Sequence, residues 1–281
     1  MAYPKWQDIL IPPSDPASCW ELFHENSKVS RFDKYQDIDV IRKEMRNLHE
    51  SLPYDGYPKV ELPQQIPSLD VALGDAICAR RSVRRLEPVP LDLETVTTIL
   101  YYSYGLTGET KEIPRCFRAV PSGGALYPLE LYFYSASLPG LEPGFYHYNP
   151  CEHQLTFLQG LETPNPICHA VRQPDLIDGA SMVLFITALF ERTVFKYGDR
   201  GYRFVLMEVG HLAQNVHLVT QGVGLAGVSI GGFFDREMDR LLRLDGLNHS
   251  TLCLIAIGKN SEGNDARDSH LRKEPQGGSY E

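Results

Sequence analysis

Residues 202–222 constrain this chain most. The apolar positions Val205, Val209, Leu212, Val216 and Val219 recur at three- and four-residue steps, the period of a helix with one face against a core. Gly222 and Gly224 close the run, since glycine tolerates the backbone of a helix C-terminus. A short apolar strand, Ala226–Ile230, then runs into Gly231-Gly232. A glycine pair is often a plain turn. This one ends a strand, precedes Phe233, Phe234 and Asp235, and lets a flat, bulky group approach the backbone closely. Gly222, Gly224 and Gly227 match G-x-G-x-x-G, but a dinucleotide loop needs a strand before it and a helix after it. The order here is helix then strand, which excludes that reading. Upstream, Glu191, Arg192, Lys196, Tyr197, Asp199, Arg200 and Arg203 form a dense polar cluster.

A chain of 281 residues is long enough for one large domain or two small ones. Its net charge of −9 argues against nucleic acid as a partner, though it leaves room for a local basic pocket. The cysteines at 19, 78, 116, 151, 168 and 253 show no C-x-x-C spacing and do not cluster with histidines. No metal site or disulfide framework is expected, and most read as small buried apolar residues. No run approaches the ~20 apolar residues that span a bilayer, and no signal peptide is visible. A cytoplasmic protein with no membrane partner is the simplest expectation.

In chain order, residues 1–67 are punctuated by prolines and read as an arm that wraps a core, with a helix over 39–52; residues 68–281 read as the domain proper. The polar segment 23–33 reads as surface. A helix over 68–79 leads to Arg80-Arg81-Ser82-Val83-Arg84-Arg85. Four arginines in six residues form either a solvated basic face or an anion site; arginine suits phosphate because its planar fork bonds two oxygens at once. A helix over 91–104 follows, stopped by Gly105. A loop carrying Lys111, Arg115 and Arg118 leads to Pro121, Ser122, Gly123, Gly124, Ala125, Leu126, Tyr127 and Pro128. Small residues between two prolines make a rigid loop that either simply connects or lies against a ring or anion. Strands are expected at Leu129–Ser135, 144–148, 154–158, 182–190 and 251–257, with a short helix over 165–172. The polar residues from Ser261 onward read as a tail. His147, His211 and His217 read as core or edge residues.

Four of these stretches, in this order, resemble motifs of the flavin-dependent nitroreductase superfamily. More narrowly they are similar to the SagB-type dehydrogenases, azoline oxidases of peptide natural-product pathways. Arg80-Arg81-Ser82-Val83-Arg84 resembles the opening FMN-binding motif. The loop 121–128 resembles the one that reaches the flavin from the neighbouring subunit. Ser229-Ile230-Gly231-Gly232-Phe233 resembles the loop facing the reactive ring nitrogen. Lys196-Tyr197, followed by Arg200-Gly201-Tyr202-Arg203, resembles the pair assigned to proton transfer, and His24-Glu25 resembles the subfamily's N-terminal pattern. The resemblance covers residues 68–259. It implies an α+β nitroreductase-like fold with a central, mostly antiparallel sheet flanked by helices, in an intertwined homodimer with FMN at the interface.

It also implies roles. Arg80 and Arg84 would take the phosphate, with Arg81 and Ser82 toward the ribityl chain and ring edge. Pro121, Ser122, Gly123, Gln173, Ile230, Gly231 and Gly232 would line the cofactor. A basic residue after the last strand completes such phosphate sites; Lys259, Arg267 and Arg272 are all candidates, and Lys259 is nearest. The flavin would accept a hydride, and Tyr197 or Lys196 the proton lost as an azoline becomes an azole. Glu191, Arg192, Asp199 and Arg200 would hold that pair in place or form surface ion pairs. The substrate would be peptide-derived or carrier-bound, and biosynthetic proteins are the expected partners. Two rivals remain: an NAD(P)H-dependent nitro or quinone reductase, and a non-catalytic flavin-binding scaffold of a synthetase complex.

Overall fold

The central strands are apolar at most positions because both sides of the sheet are covered. The computed structural model describes residues 18–32, 37–109 and 116–261. Strands β5 (Leu129–Ser135), β8 (Met182–Leu189) and β10 (His249–Asn260) lie side by side, β8 in the middle. On β8, Met182, Leu184, Ile186 and Ala188 enter one core, while Val183 and Phe185 enter the other. This is the period-two alternation of a strand, with no polar face left over. The eight-stranded sheet runs β1 (Lys59–Glu61), β7 (Gln154–Gly160), β6 (Gly144–Asn149), β5, β8, β10 and β2 (Leu86–Glu87), with β9 (Ala226–Ile230) also paired to β10. Every pairing between these strands is antiparallel. The fold is therefore α+β with a central antiparallel sheet flanked by helices.

One layer holds α4 (Leu93–Tyr104) and α8 (Asp199–Gly222), which pack on the sheet through Val96, Ile99, Leu100, Val205, Leu212 and Val216. Asp92 caps α4, its carboxylate accepting the Thr95 N–H at 2.7 Å. The other layer holds the short helices α5 (Asn165–His169), α6 (Asp175–Asp178) and α9 (Asp235–Leu241). The remaining elements are α1 (Cys19–Asn26), α2 (Ile38–Asn47), α3 (Leu73–Ala79), α7 (Glu191–Tyr197) and the ribbon of β3 (Leu106–Glu109) and β4 (Cys116–Arg118).

Several expectations change. Helix α2 stops at Asn47, five residues early, and α3 begins at Leu73, because residues 48–50 and 68–72 turn away from helical backbone. Helix α5 ends at His169 because Arg172 pairs its backbone with Gly232 instead. The last strand runs through Gly258 and Lys259 to Asn260, paired by β2. The polar cluster contains a helix, α7, not anticipated from the sequence. All six cysteines are free, three exposed and three half-buried, so the expectation of buried thiols fails. Cys19 and Cys78 sit on short helices that bury little, Cys116 starts a two-stranded ribbon, and Cys151 lies in a turn. In segment 23–33, α1 has no buried residue but Ser27 is enclosed; Asp33 lies outside the described residues.

One acid interrupts the apolar β5. Glu130 is 1% exposed. Its carboxylate accepts from Arg192 Nη1 at 2.7 Å, His147 Nε2 at 2.6 Å, the Leu52 N–H at 3.1 Å and the Ser51 hydroxyl at 3.3 Å. Burial alone would raise its pKa, but the Arg192 charge and the His147 hydrogen bond hold it well below the carboxylate range.

Glu130→Gln keeps the shape and removes the charge, leaving the Arg192 guanidinium buried without its counter-ion. We expect a loss of about 3–5 kcal/mol in urea denaturation at neutral pH. Because the folded group titrates below the unfolded one, its contribution is complete above about pH 4.5 and drains away as pH falls. The variant should lack that acid limb; an unchanged acid profile would refute the assignment.

Candidate functional site

The arginine run leaves α3 and passes along β9. Ser82 bridges Gly227 in parallel, and the Val83 N–H donates to the Gly227 carbonyl at 3.2 Å. This brings Arg80, Ser82 and Arg84 to the strand that ends at Ile230, Gly231 and Gly232. Arg80 is half-buried and Arg84 exposed. Arg81 turns back, its Nη1 donating to the carbonyls of Cys78 at 2.5 Å and Arg80 at 2.9 Å, so it braces the end of α3. Lys259 pairs in register with Glu87, just after the run. Among the described residues, Arg80, Arg84 and Lys259 form no ion pair, although acids outnumber bases in the chain. Arg267 and Arg272 lie outside the described residues, as do Lys111 and Arg115.

The glycine pair opens an accessible surface. A Cβ on Gly231 would meet nothing within 4 Å, and one on Gly232 only the Arg172 side chain. Arg172 donates its N–H to the Gly232 carbonyl at 2.8 Å, and Gln173, next in the chain, is exposed. An open cavity of about 590 Å3 lies here, lined by both glycines, Phe233, Phe234, Arg172 and Arg236. Behind the strand, His217 Nε2 lies 2.8 Å from the Ser229 hydroxyl, and burial lowers the His217 pKa, with Arg80 adding to the effect.

The second group forms around loop 121–128, whose backbone is contorted. Gly124, Ala125 and Tyr127 have φ of 68°, 53° and 45°, a region that non-glycine residues rarely enter. Tyr127 stays there because both ends are held. Its N–H donates to the Ser122 hydroxyl at 3.0 Å, its own hydroxyl accepts the Arg118 N–H at 3.0 Å, and its carbonyl accepts Arg192 Nη1 at 3.4 Å. Gly123 lies against Phe204, which stacks edge-on with Tyr197, the ring centroids 4.9 Å apart. A Cβ on Gly124 would come within 2.6 Å of Lys196 Nζ and 2.7 Å of the Tyr197 hydroxyl. Lys196 Nζ is 5.1 Å from the Tyr197 ring centroid. The loop and the Lys-Tyr pair, 70 residues apart in sequence, thus meet at one glycine.

Both groups lie along α8: Phe204 and His217 are thirteen residues apart on it, a rise of ~20 Å, and the Asn215 side chain between them donates to the Ala119 carbonyl at 3.1 Å, at the entry to the loop. Among the described residues, Arg192, Arg200 and Arg203 form no surface ion pair. Arg192 is buried on Glu130. Arg200 donates to the Ser27 carbonyl at 3.2 Å, and Arg203 to the Ser27 hydroxyl at 2.8 Å, fastening α1 to α8.

Sequence reasoning missed Glu208. It is 2% exposed, occupies a position of the apolar stripe between Val205 and Leu212, and hydrogen-bonds Tyr104 and the Ser122 side chain. Burial raises its pKa to about 7, with those two hydrogen bonds acting against the shift. An acid at a stripe position was a visible signal. Arg118 was named only as a loop charge. It is buried between the rings of Tyr104 and Tyr127, 4.5 Å and 5.1 Å from their centroids.

The nitroreductase family model matches residues 77–259. MJ1384 of Methanocaldococcus jannaschii, assigned as a nitroreductase, is 39% identical over 70% of this chain and 96% of its own. The trifolitoxin-processing protein TfxB of Rhizobium leguminosarum bv. trifolii is 23% identical over 93% of this chain and 75% of its own. The microcin B17-processing protein McbC of Escherichia coli is 33% identical over 46% of this chain and 49% of its own. Among solved structures, a protein of Anabaena variabilis described as a nitroreductase superposes with a TM-score of 0.61 at 20% identity, covering 82% of this chain and 49% of the other. A chain of the E. coli microcin synthetase McbBCD complex superposes with a TM-score of 0.54 at 21% identity, over 85% of this chain and 91% of the other. These superpositions establish the fold. No described helix is long and apolar enough to cross a membrane.

Gly124→Ala tests the convergence. Gly140 has φ of 80° with nothing near its Cβ direction, so Gly140→Ala reports backbone strain alone. Each should cost about 1 kcal/mol for the positive φ. Gly124→Ala should cost more, and a crystal structure should show the ends of Lys196 and Tyr197 displaced. Undisturbed side chains would refute the contact.

Proposed function

The chain belongs to the nitroreductase family, and on that premise we propose that it is an FMN-dependent dehydrogenase that desaturates an azoline-type ring to the azole in a peptide-derived metabolite. Nitroreductase-family proteins are broadly flavin-dependent oxidoreductases. Two relatives named for processing trifolitoxin and microcin B17 support the substrate class. The observation that carries the reading is the convergence of Lys196 Nζ and the Tyr197 hydroxyl on Gly124.

The residues fit a flat group with a phosphate tail. Arg80 and Arg84, without acidic partners among the described residues, hold the phosphate through forked donors, and Lys259 adds a cation from the neighbouring strand. Ser82, Gln173, Ile230, Gly231 and Gly232 line one side of the cofactor; Pro121, Ser122 and Gly123 line the other. The open Cβ direction at Gly231 leaves room for a ring. When bound, FMN supplies the acceptor for the hydride leaving the azoline carbon, and dioxygen removes those electrons. Tyr197 or Lys196 receives the proton lost from the adjacent ring atom.

A homodimer completes the site in this reading. Loop 121–128 resembles the loop that reaches the flavin from the neighbouring subunit, so the loop half of one protomer serves the arginine half of its partner. Biosynthetic partner proteins are proposed from the processing relatives. A nicotinamide-dependent nitro or quinone reductase is the second reading, supported by the likeness to MJ1384.

The test is the absorbance spectrum of the purified protein, then anaerobic NADH and NADPH. We expect oxidised-flavin bands that nicotinamide leaves unbleached and an azoline substrate bleaches. Rapid bleaching by nicotinamide favours the reductase, and no flavin after reconstitution favours a scaffold. Lys196→Ala and Tyr197→Phe should each lower azoline turnover by about 100-fold or more while keeping the flavin bands. Turnover surviving both changes sinks the proton-transfer role.

A further inference from the structure

Helix α2 buries one narrow stripe. Ile41 and Met45, a turn apart, are enclosed; Leu48, just past the end of the helix, is half-buried; every other residue of α2 is exposed. The stripe enters neither of the two cores that flank the sheet. It forms a cluster of its own with Leu126, which is fully buried, and Phe195 and Tyr197 pack against that cluster. Leu126 sits between Ala125 and Tyr127, the two non-glycine residues of loop 121–128 with left-handed backbone. Phe195 and Tyr197 flank Lys196 on α7. The apolar face of α2 therefore meets both the loop and the helix that bring Lys196 and Tyr197 to Gly124. A helix of ten residues is marginal by itself in water, so α2 owes its shape to this docking. Chain before and after the stripe is fastened too. Ser27 accepts from Arg200 and Arg203. The Glu50 carbonyl accepts from Arg118, and the Ser51 hydroxyl and Leu52 N–H donate to Glu130. Arg118 and Glu130 hold the loop half as well, through Tyr127 and Arg192.

We propose that Met45 and Ile41 are positioning residues for Tyr197: the apolar stripe of α2 packs Leu126 and Tyr197 into one cluster and so sets where the Tyr197 hydroxyl meets the loop. The consequence for turnover rests on the proton-transfer reading above; the packing itself does not. Neither side chain has a group that exchanges protons, so both act through the tyrosine. Two physical reasons make the packing consequential. The left-handed backbone at Ala125 and Tyr127 persists only while its surroundings hold it, and Leu126 is the buried side chain between them. Tyr197 is the last residue of α7, followed by Gly198 at φ of 55°. Its ring is placed by what packs on it: Phe204 edge-on from α8, and the α2 cluster. In this reading residues 37–52 belong to the loop half of the site.

Hydrogen exchange read by mass spectrometry on the full-length protein as purified tests the packing. Met45→Ala should quicken exchange in 121–128 and 191–197 about tenfold, while β8 and β10 keep their protection. Met45→Leu conserves the volume and should restore the wild-type rates. Ile41→Val is a milder truncation of the same stripe and should quicken the same two segments about threefold, which decides the matter even if the alanine variant fails to fold. Unchanged rates in both segments, or rates that quicken equally in β8 and β10, overturn the proposal. With an azoline substrate, Met45→Ala should lower kcat about tenfold, leave KM within about twofold and keep the flavin bands, and Met45→Leu should recover kcat. An unchanged kcat in Met45→Ala overturns the positioning role. A wild type that turns over no azoline sinks the azoline reading, and the exchange rates then decide the packing alone. Flat exchange in a wild type that does turn it over sinks only this proposal.

Discussion

The buried charge pair of Glu130 and Arg192 sets the frame on which the candidate site hangs. A carboxylate in the middle of a sheet covered on both faces is tolerable only with every lone pair occupied. The four donors come from places far apart in sequence: the segment at 51–52, His147 on β6, and Arg192 on α7. Arg192 also donates to the Tyr127 carbonyl. One guanidinium thus fixes where α7 starts and where loop 121–128 ends. Lys196 and Tyr197, on the last turn of α7, inherit their position from it.

Helix α8 is the second organising element, because it meets both halves of the site at known distances along its axis. Phe204 packs under the glycine loop, Glu208 bonds Ser122, and His217 bonds Ser229 behind the glycine pair. A rigid helix keeps these stations apart. The strained loop sits at the station with the most hydrogen-bonded support. A glycine-poor left-handed turn persists only where its surroundings over-determine it, and here Arg118, Arg192, Ser122 and, through Ser122, Glu208 do so.

Much of the fold was legible. The apolar runs at Leu129–Ser135 and Ala226–Ile230 gave strands with the expected bounds, and Gly105 stopped α4 where expected, though the helix starts at Leu93, behind the Asp92 cap, and not at 91. Helix α7 was not legible because its polar residues mask its period, and the partner of Arg192 lies elsewhere, on β5. The cysteines misled because average burial of a residue type says nothing about a site at an element's end. The four motifs were readable as motifs, since glycine, arginine and proline carry local constraints that need no partner.

The sequence by itself determined the main strands and the long helix, through periodicity, and the candidates for holding an anion and a flat ring, through the geometry of arginine and glycine; the antiparallel α+β arrangement came from the resemblance of its motifs. Only the tertiary structure decided that Lys196 and Tyr197 close on Gly124, that Arg81 faces back into its own helix end, and that Glu208 and Arg118 support the loop. Periodicity and local chemistry are short-range properties of the chain. Which charges lose water, and which partner replaces it, depends on contacts between residues some 60 to 105 positions apart, and those exist only once the chain has packed.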